Sequence, residues 1–173
     1  MAENNAAQHG AGDLILIGWR EWVSLPGLSS TPIKAKIDTG AKTSALHAFF
    51  IEPYEANGVR MVKFLFHPIQ RDTDTVVECH TPVVDQRMVR DSGGHQEMRY
   101  VVKSGFMFGG LQFDAEITLT DRDSMVFRML LGRNVLANRF LVQSSASFLL
   151  GGTKKSPSRK VRGILPVQHL VIG

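Results

Sequence analysis

Apolar and polar residues alternate along this chain in short runs, with turn residues between them. Ile33, Ala35 and Ile37 share one face of a five-residue run whose other face carries Lys34 and Lys36. That two-residue period is the signature of a half-buried strand. Residues 14–18 are apolar and continue with mixed polarity over 19–25. Residues 59–67, 75–84, 99–103, 106–108 and 111–119 are further β-branched or aromatic runs of strand length. Helical patterns are sparse, and two short helices are expected, over 43–50 after a glycine turn and over 134–138. The 16 Gly and 7 Pro residues supply the turns that many short strands require. The pattern predicts a mainly β body over 13–150, with a polar arm over 1–12 and a tail over 151–173.

A chain of 173 residues has the size of one domain. Such a chain buries roughly 70% of its unfolded surface and needs neither metal nor disulfides to fold. The single cysteine, Cys79, excludes an intramolecular disulfide and a multi-cysteine zinc or iron–sulfur centre. No apolar run approaches the ~20 residues that span a bilayer. Residues 1–12 lack the charged-then-apolar order of a secretory leader, so a cytoplasmic protein without membrane contact is expected. The net charge of +4 is unevenly placed. Lys154, Lys155, Arg159, Lys160 and Arg162 put +5 into the stretch after residue 149, which holds no acidic residue, and this leaves −1 for the remainder. The basicity belongs to the tail, which offers no aromatic ring among its cations to stack on a base. Nucleic acid is therefore not expected as a partner of the body.

The candidate chemistry lies in Lys34-Ala35-Lys36-Ile37-Asp38-Thr39-Gly40-Ala41. A strand there delivers a carboxylate, a small hydroxyl residue and a glycine into a sharp turn. Gly40 is expected to take a left-handed φ and to let backbone approach closely. Alone, such a tripeptide is also an ordinary turn. A second segment, Met129-Leu130-Leu131-Gly132-Arg133-Asn134, sets apolar residues before a glycine and a short helical turn. The pair resembles the loop and brace of pepsin-like and retroviral aspartic proteases. It is more similar still to a bacterial retropepsin-like family long labelled ATP-dependent zinc proteases and linked with ATP-grasp ligases of the RimK type. Glu21-Trp22-Val23, residues 34–48 and residues 129–142 carry that resemblance, which runs over roughly 14–150. It implies a retropepsin-like closed β-barrel, one lobe per chain. Asp38, Thr39 and Gly40 would form the catalytic loop, Ala41 would lie beside the substrate, and Leu131, Gly132 and Arg133 would brace the loop.

Aspartic protease chemistry needs two carboxylates ~3 Å apart that share one proton. One acts as general base on a water while the other, protonated, polarises the scissile carbonyl. A chain with one such loop must take the second carboxylate from a copy of itself, which implies a homodimer whose two-fold axis passes between two Asp38 residues. Thr39 would then hydrogen-bond across the axis. Ser92-Gly93-Gly94 reads as a hairpin tip, and by analogy as a flap over a peptide or protein substrate. Asp91-Ser92-Gly93 is an internal rival for the second carboxylate, set aside because charged and polar residues on both sides would not bury it. Viral enzymes carry an acidic residue soon after the loop; Lys42 and Thr43 stand there, which leaves the partner of Arg133 open.

No two of the six histidines have the spacing of a helical zinc-protease motif, although His47 and Asp38 could form a ligand pair. No glycine-rich loop ends in Lys-Ser or Lys-Thr, so any ATP dependence would come from a RimK-type partner. No cofactor and no metal are expected. Two alternatives stay open: a non-catalytic peptide-binding adaptor for a RimK-type ligase, and the zinc-dependent protease of the old label. Cys79, alone within a β-rich run, reads as a small hydrophobe rather than a nucleophile.

Overall fold

Twelve strands and one helical turn make up the described residues, 13–122 and 126–151, of a computed structural model. In order they are β1 (Ile15–Gly18), β2 (Arg20–Val23), β3 (Ile33–Ile37), β4 (Ser44–His47), β5 (Phe49–Ala56), β6 (Val59–Phe66) and β7 (Val77–Pro82). Then follow β8 (Asp85–Arg90), β9 (Gln96–Phe108), β10 (Leu111–Thr120), β11 (Met129–Leu131), α1 (Arg133–Leu136) and β12 (Phe140–Gln143). Where a strand alternates in sequence it alternates in burial: β3 buries Ile33, Ala35 and Ile37 and turns Lys34 and Lys36 outward. Likewise β6 buries Val62, Phe64 and Phe66. Burial of these side chains is the main stabilising term.

The principal sheet has the order β2-β3-β11-β4-β10-β9-β8, with a three-stranded sheet β5-β6-β7 and a parallel pair β1-β12 beside it. Val62, Phe64, Phe66 and Cys79 from the smaller sheet enter the same core as Ile33, Leu46, Val102, Ile117 and Leu131. The mainly β architecture is as expected, but its strands form three sheets rather than one closed barrel. Ser24, just past β2, exchanges hydrogen bonds of 3.2 and 2.9 Å with Met107 of β9, an isolated bridge between the β2 end of the principal sheet and β9. The short strand β11 lies between β3, to which it is parallel, and β4, to which it is antiparallel. That slot positions the site.

The helix expected over 43–50 is instead β4 and the start of β5. Ser44, Ala45, Leu46 and His47 are all buried, with β10 and β11 bonded on either edge. Two flanking strands satisfy the backbone in extended form, and tertiary pairing overrides a weak local preference. The expected short helix near 134–138 is one turn, α1. The runs 99–103 and 106–108 are parts of one strand, β9, and residues 129–131 and 140–143 add strands that the pattern did not single out. The arm over 1–12 and the tail from 152 lie outside the described residues. No helix among those described is long and apolar enough to cross a membrane.

Candidate active site

Asp38 follows the last residue of β3, and its position is set by the backbone of β11. Leu131 pairs with Ile37 in the parallel ladder, and the Asp38 amide continues that ladder by donating to the Leu131 carbonyl at 2.9 Å. Beyond it the loop turns sharply. The Ala41 amide donates to the Asp38 carbonyl at 3.2 Å, and the Gly40 amide donates to Asp38 Oδ1 at 3.1 Å. Gly40 does not take the left-handed φ expected of it. Its lack of a side chain serves close approach instead, since a Cβ there would stand 3.3 Å from Asp38 Oδ1. Asp38 and Ala41 are half-buried, while Thr39 and Gly40 are exposed at the apex.

The brace meets the loop atom by atom. The first amides of a helix have no partner inside it. Here the Arg133 amide donates to the Ala41 carbonyl at 2.9 Å and the Asn134 amide to the Lys42 carbonyl at 3.1 Å. A Cβ on Gly132 would lie 2.6 Å from the Thr43 carbonyl oxygen and 2.9 Å from that of Ala41, so only glycine fits. The open partner of Arg133 is the loop itself: its guanidinium donates to the carbonyls of Thr39 at 3.0 Å and Gly40 at 2.9 Å. Lys42 and Thr43 follow the loop in sequence, and the guanidinium takes main-chain oxygens as its acceptors.

Two residues that sequence reasoning assigned no role complete the lock. The Gly132 amide donates to Ser44 Oγ at 3.0 Å, and Ser44 donates to Asn134 Oδ1 through both its hydroxyl, at 2.8 Å, and its amide, at 2.9 Å. The Asn134 side-chain amide then donates to the Glu116 carbonyl at 2.8 Å. Asn134 stood in the motif and could have been suspected. Ser44 was hidden by the helical reading of its segment.

The other expected residues lie apart from this loop. Ser92, Gly93 and Gly94 form the exposed tip between β8 and β9, with Gly94 at φ +84°. Among the described residues no hydrogen bond or ion pair joins that tip to residues 38–41. Asp91 belongs to the tip: its carboxylate accepts from the His95 amide at 2.9 Å and pairs with Arg122 at 2.7 Å. The His95 amide, with Arg122 nearby, holds the Asp91 carboxyl below the usual carboxylate range. His47 sits on β4 with Nε2 3.9 Å from Asp121, not beside Asp38. Among the described residues no three His, Cys, Asp or Glu side chains gather as a metal would require. Cys79 is buried, with Sγ 3.4 Å from the Leu28 carbonyl, and burial pushes its thiol up to about 11, which disfavours the thiolate. A groove lined by Pro26, Phe106, Met107, Gln112, Phe113 and Asp114 lies elsewhere and holds none of the expected site residues.

The profile of the family described as retropepsin-like aspartic endopeptidase RimB matches residues 16–151. Proteins named "Probable alpha-L-glutamate ligase" from Shewanella pealeana and Parasynechococcus marenigrum are 45% and 43% identical over 136 and 141 residues. These alignments cover 79% and 82% of this chain and 30% of each relative, so the chain spans under a third of the length of the curated relatives it matches. The crystal structure of a Legionella pneumophila protein of unknown function aligns with a TM-score of 0.64 and 23% identity. It covers 78% of this chain and 96% of that one, a likeness of fold.

Proposed function

The chain belongs to the RimB-like family of retropepsin-like aspartic endopeptidases, and we propose that it hydrolyses peptide bonds through a dyad of Asp38 residues from two copies. The observation that carries this reading is the Asp38 loop itself. Leu131, Arg133 and Asn134 hold its backbone by direct hydrogen bonds, Ser44 ties Gly132 to Asn134 behind them, and Thr39 and Gly40 stand exposed at its apex. A loop held so firmly from behind and open in front is suited to meet its own copy across a two-fold axis. With the carboxylates ~3 Å apart only one ionises, and the pair activates a water and polarises the scissile carbonyl. Thr39 would bond across the axis, and the β8–β9 hairpin, through Ser92, Gly93 and Gly94, would cover the bound peptide beside Ala41. No metal takes part in this scheme.

The test is turnover of a mixture of natural peptides, followed by mass spectrometry. Asp38→Asn should abolish cleavage without unfolding the protein, a hydroxyl-bearing transition-state mimic should inhibit, and a chelator should have no effect. Cleavage that survives Asp38→Asn but is lost to a chelator and restored by zinc would favour the zinc reading.

A second reading rests on a different observation, the match to roughly the 30% of longer proteins named as probable α-L-glutamate ligases. On that reading the dimer holds a peptide for a RimK-type ATP-grasp ligase without cutting it. Peptide binding and ligase stimulation that both survive Asp38→Asn would favour it.

A further inference from the structure

The β8–β9 hairpin is tied to β10 by a row of polar links. Glu116, Thr118 and Thr120 lie at alternate positions on one face of β10, and Arg122 continues the spacing beyond the strand. Each takes one contact from the hairpin. Arg87 of β8 donates to Glu116 at 2.7 Å. Arg99 of β9 points a guanidinium N–H at the Thr118 hydroxyl at 3.4 Å. Thr120 donates its hydroxyl to Glu97 at 2.9 Å, and Arg122 pairs with Asp91 at 2.7 Å. Glu97 and Arg99 also bond each other at 2.9 Å.

The inner links are buried: Thr118 and Thr120 are 1% exposed and Arg99 7%. The row also reaches the site. Thr118 donates its hydroxyl to the Ser44 carbonyl at 3.1 Å, and the Glu116 carbonyl receives the Asn134 side chain. Apolar residues could cover this face with less desolvation cost. Polar links instead accept one pairing register and penalise every other, because a shifted hairpin would leave buried donors and acceptors unmet.

We infer that Glu97, Arg99, Thr118 and Thr120 are positioning residues, which set the stance of the β8–β9 hairpin relative to the Asp38 loop. This rests on the peptidase reading, in which that hairpin covers the substrate. The Arg87–Glu116 and Asp91–Arg122 pairs end the row, and the buried links between them hold the arm.

The experiment is hydrogen exchange of wild type, Glu97→Gln and Thr120→Val, with steady-state kinetics on the same samples. Amides over 85–95 should exchange about tenfold faster in both variants, while those of β3, β11 and α1 keep their wild-type rates. KM should rise several-fold with kcat within about twofold of wild type, because the reacting groups are untouched. Unchanged exchange over 85–95, or a fall in kcat at constant KM, would overturn the inference. Exchange is read without substrate. A wild type that cleaves nothing would therefore count against the peptidase reading alone, and the row of links would stand or fall on exchange.

Discussion

Gly132 shows how far a single atom decides this site. Its missing Cβ leaves room for the carbonyls of Thr43 and Ala41, both within 3 Å of where that atom would stand. Those oxygens are main chain and cannot rotate away, so Gly132→Val should cost more than ~2 kcal/mol by overpacking. An unchanged melting temperature would contradict the bracing role. Ser44 is the complementary case. Ser44→Ala strands the Gly132 amide in a buried place and should destabilise by ~1–3 kcal/mol. It should also lower kcat more than it changes KM, since the loop loses its seat; equal kcat in a destabilised variant would make Ser44 merely structural. The two residues differed in legibility. An apolar-apolar-Gly segment announces a close approach in the sequence, whereas a serine inside Lys-Thr-Ser-Ala-Leu-His gives no sign of its partner ninety positions away.

Among the elements, strands with one face buried and the other turned outward were readable, and a strand buried on both faces was not. The pattern of β3 gave its bounds directly, because one side faces solvent. β4 is buried on every side and carries no alternation to read. The segment after β12 is a third case. It returns along the β2 edge, with the Trp19 amide on the Ala146 carbonyl, Phe148 on Arg20 and the Leu150 amide on the carboxylate of Glu21 at 2.9 Å. Glu21 is fully buried on β2. Desolvation raises its pKa above the ordinary 4.5, and the amides of Leu150, Gly18 and Leu149 oppose that rise only in part. A carboxyl whose folded pKa is raised holds its proton longer in the folded state than in the unfolded one. Its contribution is complete below 4.5 and is lost as pH rises through the folded value. Glu21→Gln keeps the group neutral at every pH. The stability difference between variant and wild type should therefore shift in favour of the variant as pH rises above 4.5 in paired melts. Parallel curves would show that Glu21 titrates alike in both states.

For the molecule as a whole, one lobe presents one Asp38 on an exposed loop, and the groove on its surface is lined by other residues. The motif pair made the family legible from sequence, and the profile match over 16–151 bears that out. What the sequence could not convey was how the hairpin is tied down, since its links are side-chain pairings across three neighbouring strands that alternation alone does not specify. Whether two chains share one catalytic site, as proposed, is decided by turnover of mixed dimers. Wild type and Asp38→Asn chains are co-expressed or co-refolded at a series of ratios and assayed on one peptide. A shared dyad predicts activity that falls with the square of the wild-type fraction, about a quarter at an equal mixture. Activity proportional to that fraction, about half at an equal mixture, would mean that each chain works alone and would contradict the account.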